Sequence, residues 1–385
     1  MVGGPIALYI HWPFCASKCP YCNFNSHVAE SVDQARWGNA LVLRLDDYAV
    51  ATKGRPLISI FFGGGTPSLM EPAIAGKIIA RATEIWPPDE AMEVTLEANP
   101  SSFEAARFRD FRALGVNRLS LGVQSFDDAA LRFLGRAHDA RAARAAIEAG
   151  QGIFAGFSFD LIYARPGQGG KSWAAELDEA LAFGPGHLSL YQLSIERRTK
   201  FHREGIAAAA EDDAAALYEL TGERMNMAGL AAYEISNHAG AGKECRHNLH
   251  VWRGGDYAAV GPGAHGRLTV DGKCFAVQGT SDPGRWLAAA EKDASDGKST
   301  AARWTPLTAG ERLDEIVIMG LRLDGGIRRH DFIRLVGETP EDALGGPLLE
   351  RLIDGGFLVL DGAGLRATAA GKMRLNTVIG NLLGG

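Results

Sequence analysis

Cysteine is scarce in this chain, five among 385 residues. That scarcity argues against an oxidising compartment in which disulfides would staple the fold. Basic charge is not in excess either. Lysine and arginine number 40 against 46 aspartates and glutamates, a net charge of −6, so nucleic acid has no electrostatic reason to bind and is not expected as a partner. No apolar run approaches the roughly 20 residues needed to span a bilayer. The start, M-V-G-G-P-I-A-L-Y-I-H-W, has neither the basic region nor the long apolar stretch of an export signal. A cytoplasmic protein is therefore expected, with peripheral membrane contact left open. The rest is ordinary for a globular chain: 46% apolar and 22% charged residues, and a length that suits one large domain plus a smaller one.

Three of the five cysteines are crowded into eight residues. They are Cys15, Cys19 and Cys22 in H-W-P-F-C-A-S-K-C-P-Y-C-N-F, while Cys245 and Cys274 stand far away. Thiolates this close can surround one soft metal centre, whereas a disulfide would use two and strand the third. An iron–sulfur cube normally takes four cysteines. A cube held by three keeps one iron open for an external ligand, much as catalytic zinc keeps an open position. The other reading is a structural zinc knuckle with His11 or His27 as fourth ligand, although zinc sites usually pair their cysteines as C-x2–4-C.

Short β-rich runs recur at intervals of about one βα unit: Ile6–Ile10, Ile58–Phe62, Glu93–Glu97, Arg118–Val123, Phe157–Ile162 and His187–Leu193. Between them lie helical patterns. One follows Asn99-Pro100-Ser101-Ser102, with a capping serine at its start and Gly115 at its end. Six such units predict an α/β fold with a partial (β/α)6 barrel, open on one side, though a doubly wound sheet shows the same alternation. The chemistry favours the barrel. Each run ends in something polar, glycine-rich or reactive: the cysteine loop, then G-G-G-T-P, E-A-N-P, V-Q-S-F and D-L-I-Y. Barrels gather chemistry at the carboxyl ends of their strands. The glycines of G-G-G-T-P remove side chains so that a ligand can approach the backbone. Asp160 sits in the apolar run F-S-F-D-L-I-Y, where an unpaired carboxylate is costly and argues for a bound partner.

The spacing C-x3-C-x2-C with its aromatic flanks resembles the signature of the radical S-adenosylmethionine (SAM) superfamily. Within it, L-Y-I-H-W-P-F-C, F-F-G-G-G-T-P, E-A-N-P, L-S-L-G-V-Q-S-F, L-G-R-A-H and F-D-L-I-Y-A-R-P resemble, in order over about the first 200 residues, the oxygen-independent coproporphyrinogen oxidase group. The resemblance implies that Cys15, Cys19 and Cys22 hold a [4Fe–4S] cluster. The open iron binds SAM, and the cluster's electron cleaves SAM to a 5′-deoxyadenosyl radical. It further implies that Tyr9 and His11 flank the cluster, that Phe24 belongs to the cofactor site, that Gly64, Gly65 and Thr66 grip the amino group of SAM, and that Glu97, Gln124, Arg136, Asp160 and Ile162 touch SAM.

Two features set the chain apart from the true oxidases. Phe24 stands where they carry a further cysteine, and the first strand begins almost at the initiator, without their N-terminal arm. Relatives with both features resemble haem chaperones of the HemW type, which bind haem and deliver it to haemoproteins. Their haem-linked motif, His-Asn-x-x-Tyr-Trp, reads here His247, Asn248, Leu249, His250, Val251, Trp252, with valine in place of tyrosine. His247 or His250 is the expected haem ligand, in a neighbourhood that also holds His238 and His265. Cys245 is either a further ligand or a buried free thiol. The resemblance thus implies a haem chaperone with haem and haem-accepting proteins as partners, and leaves a homodimer open. The alternatives are a coproporphyrinogen III dehydrogenase and a zinc-stabilised binding module.

Three segments are expected: the barrel over 1–200, an extension with the HNxxxW motif over 201–284, and a helical, winged-helix-like module over 285–385. The last rests on helical patterns at Pro283–Ala294 and Ala309–Leu323 and on a hairpin at Asp361-Gly362. Mixed charge argues for a lid or partner surface rather than DNA binding.

Overall fold

The computed structural model describes residues 4–296 and 300–384. The six β-rich runs are six strands: β1 (Ile6–Trp12), β2 (Leu57–Gly64), β3 (Pro88–Ala98), β4 (Arg118–Gln124), β5 (Gly156–Tyr163) and β6 (His187–Gln192). They pair in chain order and all in parallel. When parallel strands follow one another in chain order, right-handed crossovers place every helix on the same face. A doubly wound sheet would reverse its order at a switch point. None occurs here, so the sheet curls into the expected open barrel.

The outer coat comprises α1 (Gln34–Ala49), α2 (Pro72–Ile85), two short helices at Ser102–Ala106 and Phe108–Ala113, α3 (Ala140–Ile153) and α4 (Gly170–Ala182). Ser101 caps the first short helix by accepting from the Glu104 N–H. Alternate residues of each strand face this coat and are apolar and buried, such as Ile10, Trp12, Phe62, Leu96, Leu121 and Phe159. The intervening residues face inward and are mostly small or polar, among them Tyr9, His11, Ser59, Glu97, Ser120, Gln124, Ser158, Asp160 and Tyr191, with Phe61 and Ile162 as apolar exceptions. The barrel interior is therefore a polar space walled by an apolar shell.

The extension contributes α5 (Glu211–Met227), the short strands β7 (Ala231–Ala232) and β8 (Asn237–Ala239), α6 (Arg246–Trp252), and then β9 (Asp256–Val260), β10 (His265–Val270) and β11 (Lys273–Gly279). β9 lies parallel to β1 on the side away from β2, a seventh parallel strand that the six-unit reading lacks. β10, β11 and β12 (Ala302–Pro306) continue the sheet in that order, each antiparallel to the strand before it. At the other end β8 pairs antiparallel with β6. Strands β6 and β9 do not pair, and the barrel stays open between them.

The helix at Pro283–Asp296 (α7) packs on α1, and its Trp286 stacks on Trp37 with ring centroids 5.7 Å apart. Its Trp286, Leu287 and Ala290 belong to the barrel's core, although the sequence placed it at the head of the C-terminal module. A second core runs from Ile316 to Leu382. It is built on α8 (Ala309–Gly320) and a three-stranded sheet of β13 (Ile327–Arg328), β14 (Leu358–Leu360) and β15 (Gly364–Ala367). Helices with a small hairpin are the winged-helix-like pattern expected. No helix among the described residues is long and apolar enough to cross a membrane.

Candidate functional site

Residues 13–28 run over the carboxyl end of β1 and carry the three cysteines. The backbone stitches this loop to the glycine run: Gly65 N–H donates to Trp12 O (2.7 Å) and Thr66 N–H to Phe14 O (2.8 Å). That contact explains two glycines. A Cβ on Gly64 would stand 2.7 Å from the His11 ring, at a φ of +113°, and one on Gly65 would stand 2.7 Å from Phe14 O. The loop itself demands glycine there, and not only a ligand's approach. Asn25 holds the far side of the loop, its amide donating to Pro262 O and Ser281 O of the extension, both at 2.9 Å.

Cys15, Cys19 and Cys22 line one cavity of about 600 Å³. Each sulfur faces a side-chain partner. The Thr66 hydroxyl donates to Cys15 (3.4 Å), the Arg136 guanidinium donates to Cys19 (3.3 Å), and the Ser26 hydroxyl lies 3.7 Å from Cys22. Among the described residues no three Cys, His, Asp or Glu side chains close around a point fit for one metal ion. Neither zinc candidate turns to the cysteines. His11 donates through Nε2 to Asn25 O (2.9 Å) while Nδ1 meets the Tyr9 hydroxyl (3.2 Å), and His27 Nε2 meets Asn25 Oδ1 (3.1 Å). A cube takes each thiolate on a different iron, so its ligands stand further apart than those of one ion. Three thiols lining one cavity are the donor set of a cube that leaves one iron open.

The same cavity gathers Phe24, Gly64, Gly65, Thr66, Glu97, Gln124, Arg136, Asp160 and Ile162, from the ends of four strands and three loops. Tyr9 and His11 are not among its walls; they lie beneath the loop and support it. Phe24 stands on the lip, 66% exposed. Glu97 and Asp160 are deep inside. Burial, and then the neighbouring Asp160, pushes Glu97 up to about 8. Burial pushes Asp160 up to about 6 against hydrogen bonds from Ser189 and Ser120. Glu97 accepts from the Gly64 N–H and Asp160 from the two serines, but among the described residues neither forms an ion pair, so both favour a cationic partner. Gln124 adds a second sign of function. Its φ is +71°, a conformation that side chains seldom adopt, and its buried Oε1 has no partner. Asn99 and Tyr191 also line the cavity without having been singled out from the sequence. The phrase E-A-N-P was the available signal for Asn99; nothing marked Tyr191.

The motif helix α6 lies elsewhere. It crosses the amino ends of the strands, where His247 N–H donates to Glu93 (3.2 Å), as does the Cys245 thiol (3.2 Å). Glu93 precedes Glu97 by four residues on β3, roughly 13 Å along a strand. His247 is buried inside this floor, bonded to the Ser59 hydroxyl (3.0 Å) and packed on Phe61, and burial pushes it down to about 3. His250 donates to Asp256 O (2.8 Å). His238 belongs to β8 and His265 to β10. The four histidines are neighbours in sequence and do not converge in space. Of the motif, Leu249 and Trp252 line, with Arg253, a cleft of about 490 Å³ against Ile316, Ile327 and Arg328 of the C-terminal module.

Comparison with known proteins places this geometry. Residues 9–179 match the radical SAM superfamily and residues 307–374 the HemN C-terminal domain. The chain is 37% identical to the mitochondrial radical S-adenosyl methionine domain-containing protein 1 of Bos taurus, over 98% of this chain and 87% of that protein. It is 34% identical to the heme chaperone HemW of Escherichia coli, over 97% of each chain, and 34% identical to that of Mycobacterium tuberculosis, over 100% and 96%. The solved coproporphyrinogen III oxidase (HemN) of Escherichia coli shares the fold with a TM-score of 0.80 at 21% identity, over 98% of this chain and 90% of that one. The chain therefore belongs to the radical SAM superfamily, in the family that contains HemW and the mitochondrial radical SAM domain-containing protein 1.

Proposed function

We propose that this protein is a haem chaperone that carries a SAM-ligated [4Fe–4S] cluster, transfers haem to haemoproteins and does not decarboxylate coproporphyrinogen III. Similarity over the full chain to proteins named heme chaperone HemW motivates the reading. The structural observation that carries it is Phe24, an exposed phenyl ring on the lip of the cavity at the position where the oxidases place a further thiol.

Cys15, Cys19 and Cys22 are the cluster's ligands in this reading. When bound, the cluster and SAM supply reductive cleavage of a carbon–sulfur bond. The chain's own residues bind and orient. Glu97 and Asp160 accept from the ammonium or hydroxyl groups of the ligand, whose arrival offsets the cost of ionising them in a buried site. Gln124 offers its unpartnered oxygen, Ile162 an apolar wall, and α6 seals the floor against water. Haem is assigned to the cleft beside α6, with Trp252 as a flat apolar face and Arg253 and Arg328 for the propionates. Ligation by His247 or His250 would require the ring to leave its present hydrogen bond. Haem-accepting proteins are the partners this reading implies, and a cytoplasmic location goes with it.

The test is anaerobic reconstitution with iron and sulfide, then haem titration and an assay on coproporphyrinogen III. About four iron and four sulfide per chain, a Soret shift on adding haem and no decarboxylation are expected. Decarboxylation without haem affinity would favour the oxidase instead. Stoichiometric zinc without sulfide would leave only the binding module.

A further inference from the structure

Asn99 stands immediately after β3, and its two amide atoms face different partners. Its Nδ2 donates to Thr66 Oγ1 (3.2 Å), and its Oδ1 accepts from Arg136 Nη2. The orientation is fixed by chemistry. A guanidinium has donors only, so the atom facing it must be the oxygen. The amide nitrogen then faces Thr66, whose hydroxyl oxygen is occupied as acceptor and sends its proton onward to Cys15 (3.4 Å). On the other side, Arg136 Nη1 donates to Cys19 (3.3 Å) while Nη2 also holds Gly122 O (2.9 Å). The result is one unbroken run of hydrogen bonds, Cys15–Thr66–Asn99–Arg136–Cys19, in which both sulfurs accept. Asn99 is itself locked, its backbone N–H donating to Glu104 Oε2 (2.7 Å).

We propose that Asn99 is a positioning residue that links two of the three cysteine sulfurs through Thr66 and Arg136 and so sets the reduction potential of the cluster they hold. The inference rests on the three-cysteine cluster of the preceding section. Hydrogen bonds and positive charge at cluster sulfurs favour the reduced state, which carries one more electron. Only a side chain that donates at one end and accepts at the other can keep both donors aimed at sulfur. An aspartate at position 99 would accept from both sides, turn the Thr66 proton away from Cys15, and add a negative charge beside Arg136. Alanine would free both donors. Thr66 to alanine would remove the Cys15 donor alone.

The experiment is a redox titration of the reconstituted protein followed by electron paramagnetic resonance, with iron and sulfide measured on each sample. Asn99→Asp and Asn99→Ala should both shift the midpoint to more negative potential, the aspartate by more. Thr66→Ala should shift it in the same direction, and Thr66→Ser, which keeps the hydroxyl, should restore the parent value. Thr66→Ala and Thr66→Ser keep the inference testable if position 99 tolerates no change. Unchanged potentials in variants that hold a full cluster would overturn the inference and leave the cluster reading standing. A parent protein that takes up no four-iron cluster would overturn both.

Discussion

The carboxyl of Asp160 raises that of Glu97, adding to the larger effect of burial, and the two stand as neighbouring acids inside the barrel. Both lie above their unfolded values, Glu97 at about 8 against 4.5 and Asp160 at about 6 against 3.8. A raised acid stabilises the fold below its unfolded pKa, and that stability is lost as pH climbs through the folded value. The ligand-free protein should therefore lose stability as pH rises toward 8, by up to about 1.4 kcal/mol per pH unit for each group within its window. Denaturant midpoints across this range check the slope. Glu97→Gln should flatten the upper part of the profile, and an unchanged profile would mean that Glu97 is not held neutral.

The same pair governs ligand affinity. Charge-assisted hydrogen bonds contribute about 1.5–3 kcal/mol each, so Asp160→Asn and Glu97→Gln should each weaken SAM binding by roughly tenfold to a hundredfold. Iron content should stay at the parent level, because neither carboxyl approaches the cysteines as a ligand. Equilibrium dialysis with SAM measures the loss. Parent affinity in both variants would remove these residues from the site.

Cys15→Ala, Cys19→Ala and Cys22→Ala should each abolish the brown chromophore. Cys274 lies on β11, in the hairpin beyond β9, and Cys245 on the barrel floor, its thiol donated to Glu93 and its pKa driven up by burial. Their alanine variants should bind iron and sulfide as the parent does. Loss of the chromophore in Cys245→Ala would mean that the floor thiol reaches the cluster.

How far the sequence disclosed this site depends on whether the signal was local. Strand endings were legible because chemistry at the carboxyl end of a strand interrupts an apolar run, as Glu97 does in M-E-V-T-L-E and Asp160 in F-S-F-D-L-I-Y. The alternation that makes the interior polar was also written there, since Ser59, Ser120, Ser158 and Ser189 recur at inward positions between buried apolar residues. Non-local partners were not legible. Strand β9 is the five residues D-Y-A-A-V, and its partner β1 lies some 250 residues earlier. Nothing in a short run of small residues announces a parallel pairing at that range. The glycine run was read as room for a ligand, whereas Gly64 and Gly65 are also required by the crossing cysteine loop. The histidines of the motif crowd together in sequence, but a helix points neighbouring residues in different directions. His247 turns into the barrel, and His250 tucks beneath Gly255.

That division within α6 yields a last prediction. His247 is enclosed by Ser59, Tyr9 and Phe61 and fills the barrel floor. His247→Ala would leave a cavity and an unpartnered hydroxyl, at a cost of about 2–4 kcal/mol in stability. Below the lowered midpoint its haem titration should match the parent, because the ring does not line the cleft. Trp252 does line the cleft, with the Arg322 guanidinium 5.8 Å from its ring. Trp252→Ala removes the largest flat surface there and should weaken haem binding by about tenfold or more, with the cluster's absorbance unchanged. Arg253→Glu should act in the same direction by repelling the propionates. The decisive comparison is the Soret titration of the three variants at equal folded fraction. Haem affinity that collapses in His247→Ala while surviving in Trp252→Ala would return the ligand to the histidine and require α6 to swing off the floor when haem arrives.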